Sequence, residues 1–208
     1  MMTDAVKSEA RRPYAPRMTP ADRREQLLDA VLRVVVERGV HKVSIESVAE
    51  AAGVTRPVVY KHFDDSAALL RASLAREEGR ALAQCYAAGA RAKEQVVEPD
   101  FVVALYANLL EMFEASPDLW SAILQLVDSA TPEFRRTVER GRDQAAAMVA
   151  DVVTANTDTG VGGGDPELYA RMIVALVIES GRLLLARPDV FPRERLVLGA
   201  REMLARLR

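Results

Sequence analysis

The chain is poor in the residues that most catalytic chemistry needs. Among 208 residues there are two histidines and one cysteine. A single thiol, Cys85, excludes an intramolecular disulfide and points to a reducing compartment. Two histidines and one cysteine make no persuasive metal cluster, and His41 and His62 lie far along the chain from Cys85. No Gly-x-Ser-x-Gly elbow or other nucleophile motif is present. The expectation is a protein that is not an enzyme and needs no cofactor or metal. Cys85 reads as a core cysteine rather than a redox sensor. Long apolar runs are also missing. The best, "MIVALVI" at 172–178, is seven residues long and ends at Glu179, too short to span a bilayer. The first residues, "MMTDAVKSEARRPYAPR", hold no apolar stretch of the kind a secretory signal needs. A cytoplasmic protein with no membrane partner is expected.

Aromatics are 5% of the chain against 50% hydrophobic residues, so the apolar share is largely Ala, Leu and Val, a helix-forming mixture. The net charge of -2 hides an uneven distribution. Between Lys7 and Arg24 stand six basic residues (Lys7, Arg11, Arg12, Arg17, Arg23, Arg24) and two acidic ones (Glu9, Asp22), while residues 66–208 are mildly acidic. A basic front on an acidic body suggests an anionic partner near the N-terminus.

Helix punctuation recurs along the chain. Residues 1–18 are polar and aperiodic and read as a disordered basic arm. Thr19-Pro20, with Asp22 in the first turn, starts a helix whose stripe of Leu27, Leu28, Val31, Val34 and Val35 ends at Gly39. Ser44 caps a second helix over about 45–52, which stops at Gly53. Thr55 is placed to cap a third over about 56–62, with Pro57 in its first turn. Asp65 caps a long fourth helix, roughly 66–92, whose stripe includes Ala68, Leu69, Ala72, Leu74, Leu82 and Tyr86. Pro99, Pro117, Thr131-Pro132, Asp165-Pro166 and Pro192 open further helices. "NTDTGVGGGDP" lacks the strand and the Gly-Lys-Ser/Thr of a phosphate cradle and reads as a flexible connector. No strand alternation persists. The fold class is all-α, with about nine helices.

The stretch "SIESVAEAAGVTRPVVYKHFDD", Ser44 to Asp65, carries the chemistry. Two short apolar bursts flank one glycine, the pattern of a helix-turn-helix. Gly53 takes the left-handed turn, and Ala49 and Ala52 are small enough for close packing. Val54, Val59 and Phe63 face inward, which leaves Arg56, Val58, Lys61 and His62 towards solvent. An arginine can bind guanine O6 and N7 through two donors, and Val58 can touch a thymine methyl. Tyr60, Lys61 and His62 carry donors for phosphate oxygens. Ser44 and Thr55 sit at helix starts, where backbone N–H groups favour phosphate.

With "ERGV", "AEAAGV", "YKHF" and a capped long helix in order, residues 20–74 resemble the DNA-binding signature of the tetracycline-repressor-like (TetR/AcrR) family. The resemblance implies that Ser44 and the recognition-helix residues Thr55 and Arg56 meet DNA. It implies that Tyr60 and His62 contact its backbone and that Asp65 caps the fourth helix. Three positions depart from the family pattern. Pro57 stands where Gly or a small residue is common, Val58 where Thr is common, and Ser66 where a Lys often touches phosphate. This reader is less polar than its relatives.

The domain plan is then an arm (1–18), a helix-turn-helix domain (19–65) and a ligand-binding and dimerisation domain (66–208). Candidate ligand residues are Tyr86, Tyr106, Met112, Phe113, Trp120 and Met148, with Asn108, Glu111 and Gln125 as polar members. Glu111 in a cavity would favour a cationic or hydrogen-bond-donating ligand. Helices at about 166–187 and 192–207 are apolar over wide faces, which pairing with a second copy would bury. The resemblance implies that these two helices form the dimer. The partners are a double-stranded, near-palindromic DNA operator and a small-molecule effector, and the function is a ligand-released repressor. The alternatives are an activator, a corepressor-dependent regulator, or a small-molecule-binding helical protein with a vestigial helix-turn-helix.

Overall fold

The computed structural model describes residues 18–95, 101–129, 132–155 and 165–206. The basic arm up to Arg17, the start at Pro99 and the Gly-rich connector at 156–164 lie outside the described residues. Nine α-helices and no strand are present among those described. They are α1 (Pro20–Arg38), α2 (Ile45–Ala52), α3 (Arg56–Tyr60), α4 (Ser66–Gln95), α5 (Phe101–Ala115), α6 (Pro117–Ser129), α7 (Pro132–Ala155), α8 (Pro166–Ala186) and α9 (Arg193–Arg206). The chain is all-α, as its sequence indicates. The "HKVS" connector holds one 3-10 turn, Val40–Lys42.

Local chemistry sets most of the boundaries. The Thr19 hydroxyl accepts the Asp22 N–H at 3.1 Å, Pro20 follows at the first helical position, and Gly39 (φ 88°) ends α1. Asp65 accepts the Ala68 N–H at 2.6 Å, and Asp165 accepts that of Leu168 at 3.0 Å. α2 ends on Gly53 at φ 66°, ψ 34°. There the Val54 N–H reaches the Ala49 carbonyl and the Gly53 N–H the Glu50 carbonyl, a Schellman closure that only a left-handed residue permits.

Two local readings change. α3 ends at Tyr60 rather than 62: the Val59 carbonyl accepts both the His62 and the Phe63 N–H, closing the chain into a turn. Thr55 adopts the extended cap backbone, yet its side chain makes no capping bond. The reason is Pro57. A cap side chain bonds the second or third helical N–H, but Pro57 has none and that of Val58 is taken by the Thr55 carbonyl.

Two apolar cores follow. The first joins Leu27, Leu28, Val31 and Val34 of α1 to Ile45 and Val48 of α2, Val59 of α3, Phe63 and Leu69, with Ala122 of α6 at its edge. The second gathers Tyr106, Leu110, Met112, Phe113, Leu119, Trp120, Val177 and Leu184. α4, 30 residues and about 45 Å long, runs between them. Its buried row is Leu69, Ser73, Glu77, Ala88 and Ala92. α5 packs on α4, α8 and α9, α7 packs on α8, and α6 bridges α1 and α8.

Where α4 leaves the first core it is tied to α1 by charge. The Arg76 guanidinium lies 2.9 Å from both Glu25 and Asp29, one turn apart on α1, and 2.5 Å from Glu77. Arg80, a turn further along α4, stands 3.6–3.7 Å from the same three carboxylates. Arg76 and Glu77 side chains are only 11% and 8% exposed. Burial acts to lower the Arg76 pKa, but hydrogen bonds to Glu25 and Glu77 and the charges of Glu77 and Asp29 outweigh it and raise it. Replacing Arg76 by Ala leaves the buried Glu77 with only the more distant, half-exposed Arg80 at 3.6 Å. The expected loss is about 2–3 kcal/mol in urea unfolding, below the ~3–5 kcal/mol of a fully buried pair because Glu25 and Asp29 are half in water. Replacing the exposed Arg38, paired with Glu50, should cost under about 1 kcal/mol.

Candidate nucleic-acid interface

α3 contributes one fully buried side chain, Val59, followed by the nearly buried Phe63. That anchoring fixes what points away. Thr55, Arg56, Pro57, Tyr60 and Lys61 are exposed, and Val58 and His62 are half-buried. Tyr60 is 51% exposed, a large aromatic surface at the end of so short a helix. The sequence-selected residues of 55–62 are therefore open or half-open to solvent, although Lys61 and His62 sit on the turn after α3 rather than on the helix.

Ser44 is engaged locally. Its hydroxyl accepts the Ser47 N–H at 3.0 Å, and the Ser47 hydroxyl accepts the Ser44 N–H at 2.9 Å, a reciprocal capping box. Ser47 also donates to the Lys42 carbonyl at 2.8 Å, tying α2 to the preceding turn. Sequence reading missed Ser47, because the usual signal at that position is Glu or Gln. It also missed three side chains of α1 that hold the helix-turn-helix from behind. Gln26 donates to the Ala52 carbonyl at 3.0 Å, Arg33 to that of Ala51 at 2.8 Å, and Arg24 to that of His62 at 3.2 Å. The first two satisfy open carbonyls of the last turn of α2.

The candidate ligand residues divide. Tyr106, Asn108, Met112, Phe113 and Trp120 are buried, and Met148 is half-buried on α7. Phe113 and Trp120 meet edge to face at 4.9 Å. The ring of Phe113 lies so close to Gly181 of α8 that a Cβ there would stand 2.6 Å from it. The polar groups are satisfied by neighbours: the Tyr106 hydroxyl donates to Ser180 at 2.6 Å, and the Trp120 indole to Gln84 at 2.8 Å. The Asn108 amide donates to the Ala88 carbonyl and to Gln95. Tyr86 and Glu111 are not with this group. Tyr86 is 59% exposed, on the side of α4 opposite its buried row, because the row steps from Glu77 to Ala88. Glu111 lies on the exposed face of α5 with Arg193 at 3.9 Å. The side chain of Gln125 lies outside the described residues.

Cys85 packs against the second core, and burial pushes its thiol up to about 11 from 9.0. It remains a thiol at neutral pH, which sets it apart from reactive cysteines. Alkylation of the folded protein should be much slower at pH 8 than in urea. Because the unfolded chain releases this proton first, stability should also fall as pH rises from about 9 to about 11. Equal alkylation rates in the two states would contradict the burial.

Comparison with known proteins agrees with this geometry. Residues 27–73 match the family model described as bacterial regulatory proteins, tetR family. The HTH-type transcriptional activator FasR of Mycolicibacterium smegmatis is 42% identical over 60 residues, covering 29% of this chain and 27% of that protein. The chain spans about two-fifths or less of the length of the curated relatives it matches. Over the whole fold, the fatty acid degradation regulator FadR from Bacillus halodurans superposes with a TM-score of 0.72 at 16% identity, covering 90% of this chain and 96% of that one. FadR from Bacillus subtilis, solved in complex with stearoyl-CoA, gives 0.67 at 17% identity, covering 88% and 96%. In sequence, residues 27–73 are thus similar to the tetR family of bacterial regulatory proteins, and along its length the chain shares the fold of the FadR structures.

Proposed function

We propose that the protein is a homodimeric DNA-binding transcriptional regulator, a repressor released from a near-palindromic operator by a small molecule. The observation that carries this reading is the anchoring of α3: Val59 is wholly buried while Arg56, Tyr60 and Lys61 stand out from the head. Residues 19–65 act as the reader and residues 66–208 as the sensor and dimer module. Arg56 reads a base edge, Val58 supplies apolar contact, and Tyr60, Lys61 and His62 hold phosphates. The Thr55 hydroxyl, which makes no capping bond, serves as a phosphate donor. Ser44 contributes less than the resemblance implies, since its hydroxyl is occupied in the capping box. The arm residues Arg11, Arg12 and Arg17 add charge near the DNA.

Arg56→Ala should weaken operator binding by about 1–3 kcal/mol and relax sequence preference. Lys61→Ala should weaken binding to all sequences and lower the salt slope by about one. Gel-shift titrations against operator and random DNA at several salt concentrations read both. Equal affinity for the two DNAs, before and after the Arg56 change, removes the base-reading role.

For the dimer, α8 and α9 offer exposed apolar side chains, among them Leu168, Met172, Leu198 and Met203. A two-fold pairing of these helices places two α3 elements on successive major grooves. Leu198→Glu should therefore shift the protein towards monomer in sedimentation and lower operator affinity, with its helix content retained. A Leu198→Glu protein that sediments like its parent would place the interface elsewhere.

The effector is apolar in the main. With Glu111 outside and paired with Arg193, the support for a cationic ligand through that residue is gone. The buried polar groups around the second core are neutral, Tyr106, Asn108 and Ser180, with the half-buried Gln84 and Arg182 beside them. Stearoyl-CoA bound to the B. subtilis neighbour makes an acyl-chain compound the first class to try. Because FasR is an activator, the sign of regulation is read separately, by transcription from the operator's promoter with and without the protein.

A further inference from the structure

We infer that Arg24, on α1, is a positioning residue for the reading surface rather than a contact to DNA. Its guanidinium carbon lies 4.3 Å from the centre of the Phe63 ring, and its Nη1 donates to the His62 carbonyl at 3.2 Å. One planar group thus stacks on the last anchored side chain and holds the backbone of the turn that carries Lys61 and His62. The turn has few other holds. α3 is five residues long, and its Val59 carbonyl is already shared between two N–H groups. Phe63 is 4% exposed and fixed in the core, so the stack sets the guanidinium against a rigid surface. Gln26 and Arg33 hold the end of α2 from the same helix. Arg24 completes that set by holding the end of α3. The pose of Tyr60 and Lys61 relative to Arg56 then depends on a residue outside the helix-turn-helix.

The inference rests on the regulator reading, and its test separates the two. A phosphate contact needs only a positive charge, which lysine supplies, whereas the clamp needs a planar group that stacks and bonds at once. Arg24→Ala and Arg24→Lys should both lower operator affinity about tenfold, the worth of one stacked, charge-assisted contact. Both should lower affinity for random DNA by clearly less than that, since a loosened Lys61 still reaches a phosphate, and leave the salt slope unchanged. A merely structural loss of folded protein would lower both affinities alike. The result that overturns the clamp is a salt slope reduced by about one in Arg24→Ala and restored in Arg24→Lys, the mark of a phosphate contact. Amide hydrogen exchange over Val59–Asp64, measured without DNA, should be faster in both variants. Unchanged exchange also overturns the clamp. A parent that binds all DNA alike, with exchange still faster in the variants, sinks the regulator reading and leaves the clamp standing.

Discussion

α3 must be held, because five residues form almost no helix by themselves. Nucleation fixes several dihedrals for one hydrogen bond, and segments this short are unstable in water. The head is organised around that constraint. Val59 and Phe63 drop into a core made mainly by α1 and α2, and Gly53 turns the chain so that α3 meets them at the right angle. α1 does the rest. Its apolar stripe supplies the floor, and Gln26 and Arg33 reach over to the open carbonyls at the end of α2.

α1 is held in turn by α4. Glu25 and Asp29 repeat every turn along α1, Arg76 and Arg80 repeat every turn along α4, and the two rows interlock beside the buried Glu77. An isolated exposed ion pair adds little, but this set shares one nearly buried guanidinium among three carboxylates. The same α1 therefore faces the reader with donors and the long helix with acceptors. α6 also rests on α1 through Ala122. A rearrangement of the body reaches the head through these contacts and through Leu69 of α4, which lies in the first core. In the proposed regulator, a ligand acts on DNA binding only by favouring one arrangement of them over another.

The body shows a different balance. Its core polar groups are paired internally, as Tyr106 with Ser180 and Trp120 with Gln84, so each keeps a partner in the apolar interior. The close seat of Phe113 on Gly181 brings α5 and α8 together at a distance no side chain at 181 would allow. Such contacts fix the packing of the body without a sequence motif, and the body is matched by fold while the family model stops at residue 73.

Most boundaries were legible because they are local events. Thr19-Pro20, Ser44, Gly53, Asp65 and Asp165-Pro166 act within a turn of themselves, and the inward pattern of Leu27, Val31, Val48, Val59 and Phe63 follows from helical spacing. Where the sequence misled, longer reach was involved. Tyr86 fits an apolar stripe on paper, but α4 turns its Leu69–Glu77–Ala92 row inward and leaves Tyr86 in water. Glu111 looks available until Arg193, from a distant helix, is brought beside it. Thr55 has the right residue type for a cap and the wrong neighbour in Pro57. Arg24, Gln26 and Arg33 are ordinary charged or polar positions of an amphipathic helix, and only folding sets them against the backbone carbonyls of residues 62, 52 and 51. The sequence by itself determined the helices, their caps and the presence of a reading head, because those depend on spacing and neighbouring side chains. The tertiary structure alone decided which side chains hold that head, because hydrogen bonds across 18 to 38 residues exist only once the helices are packed.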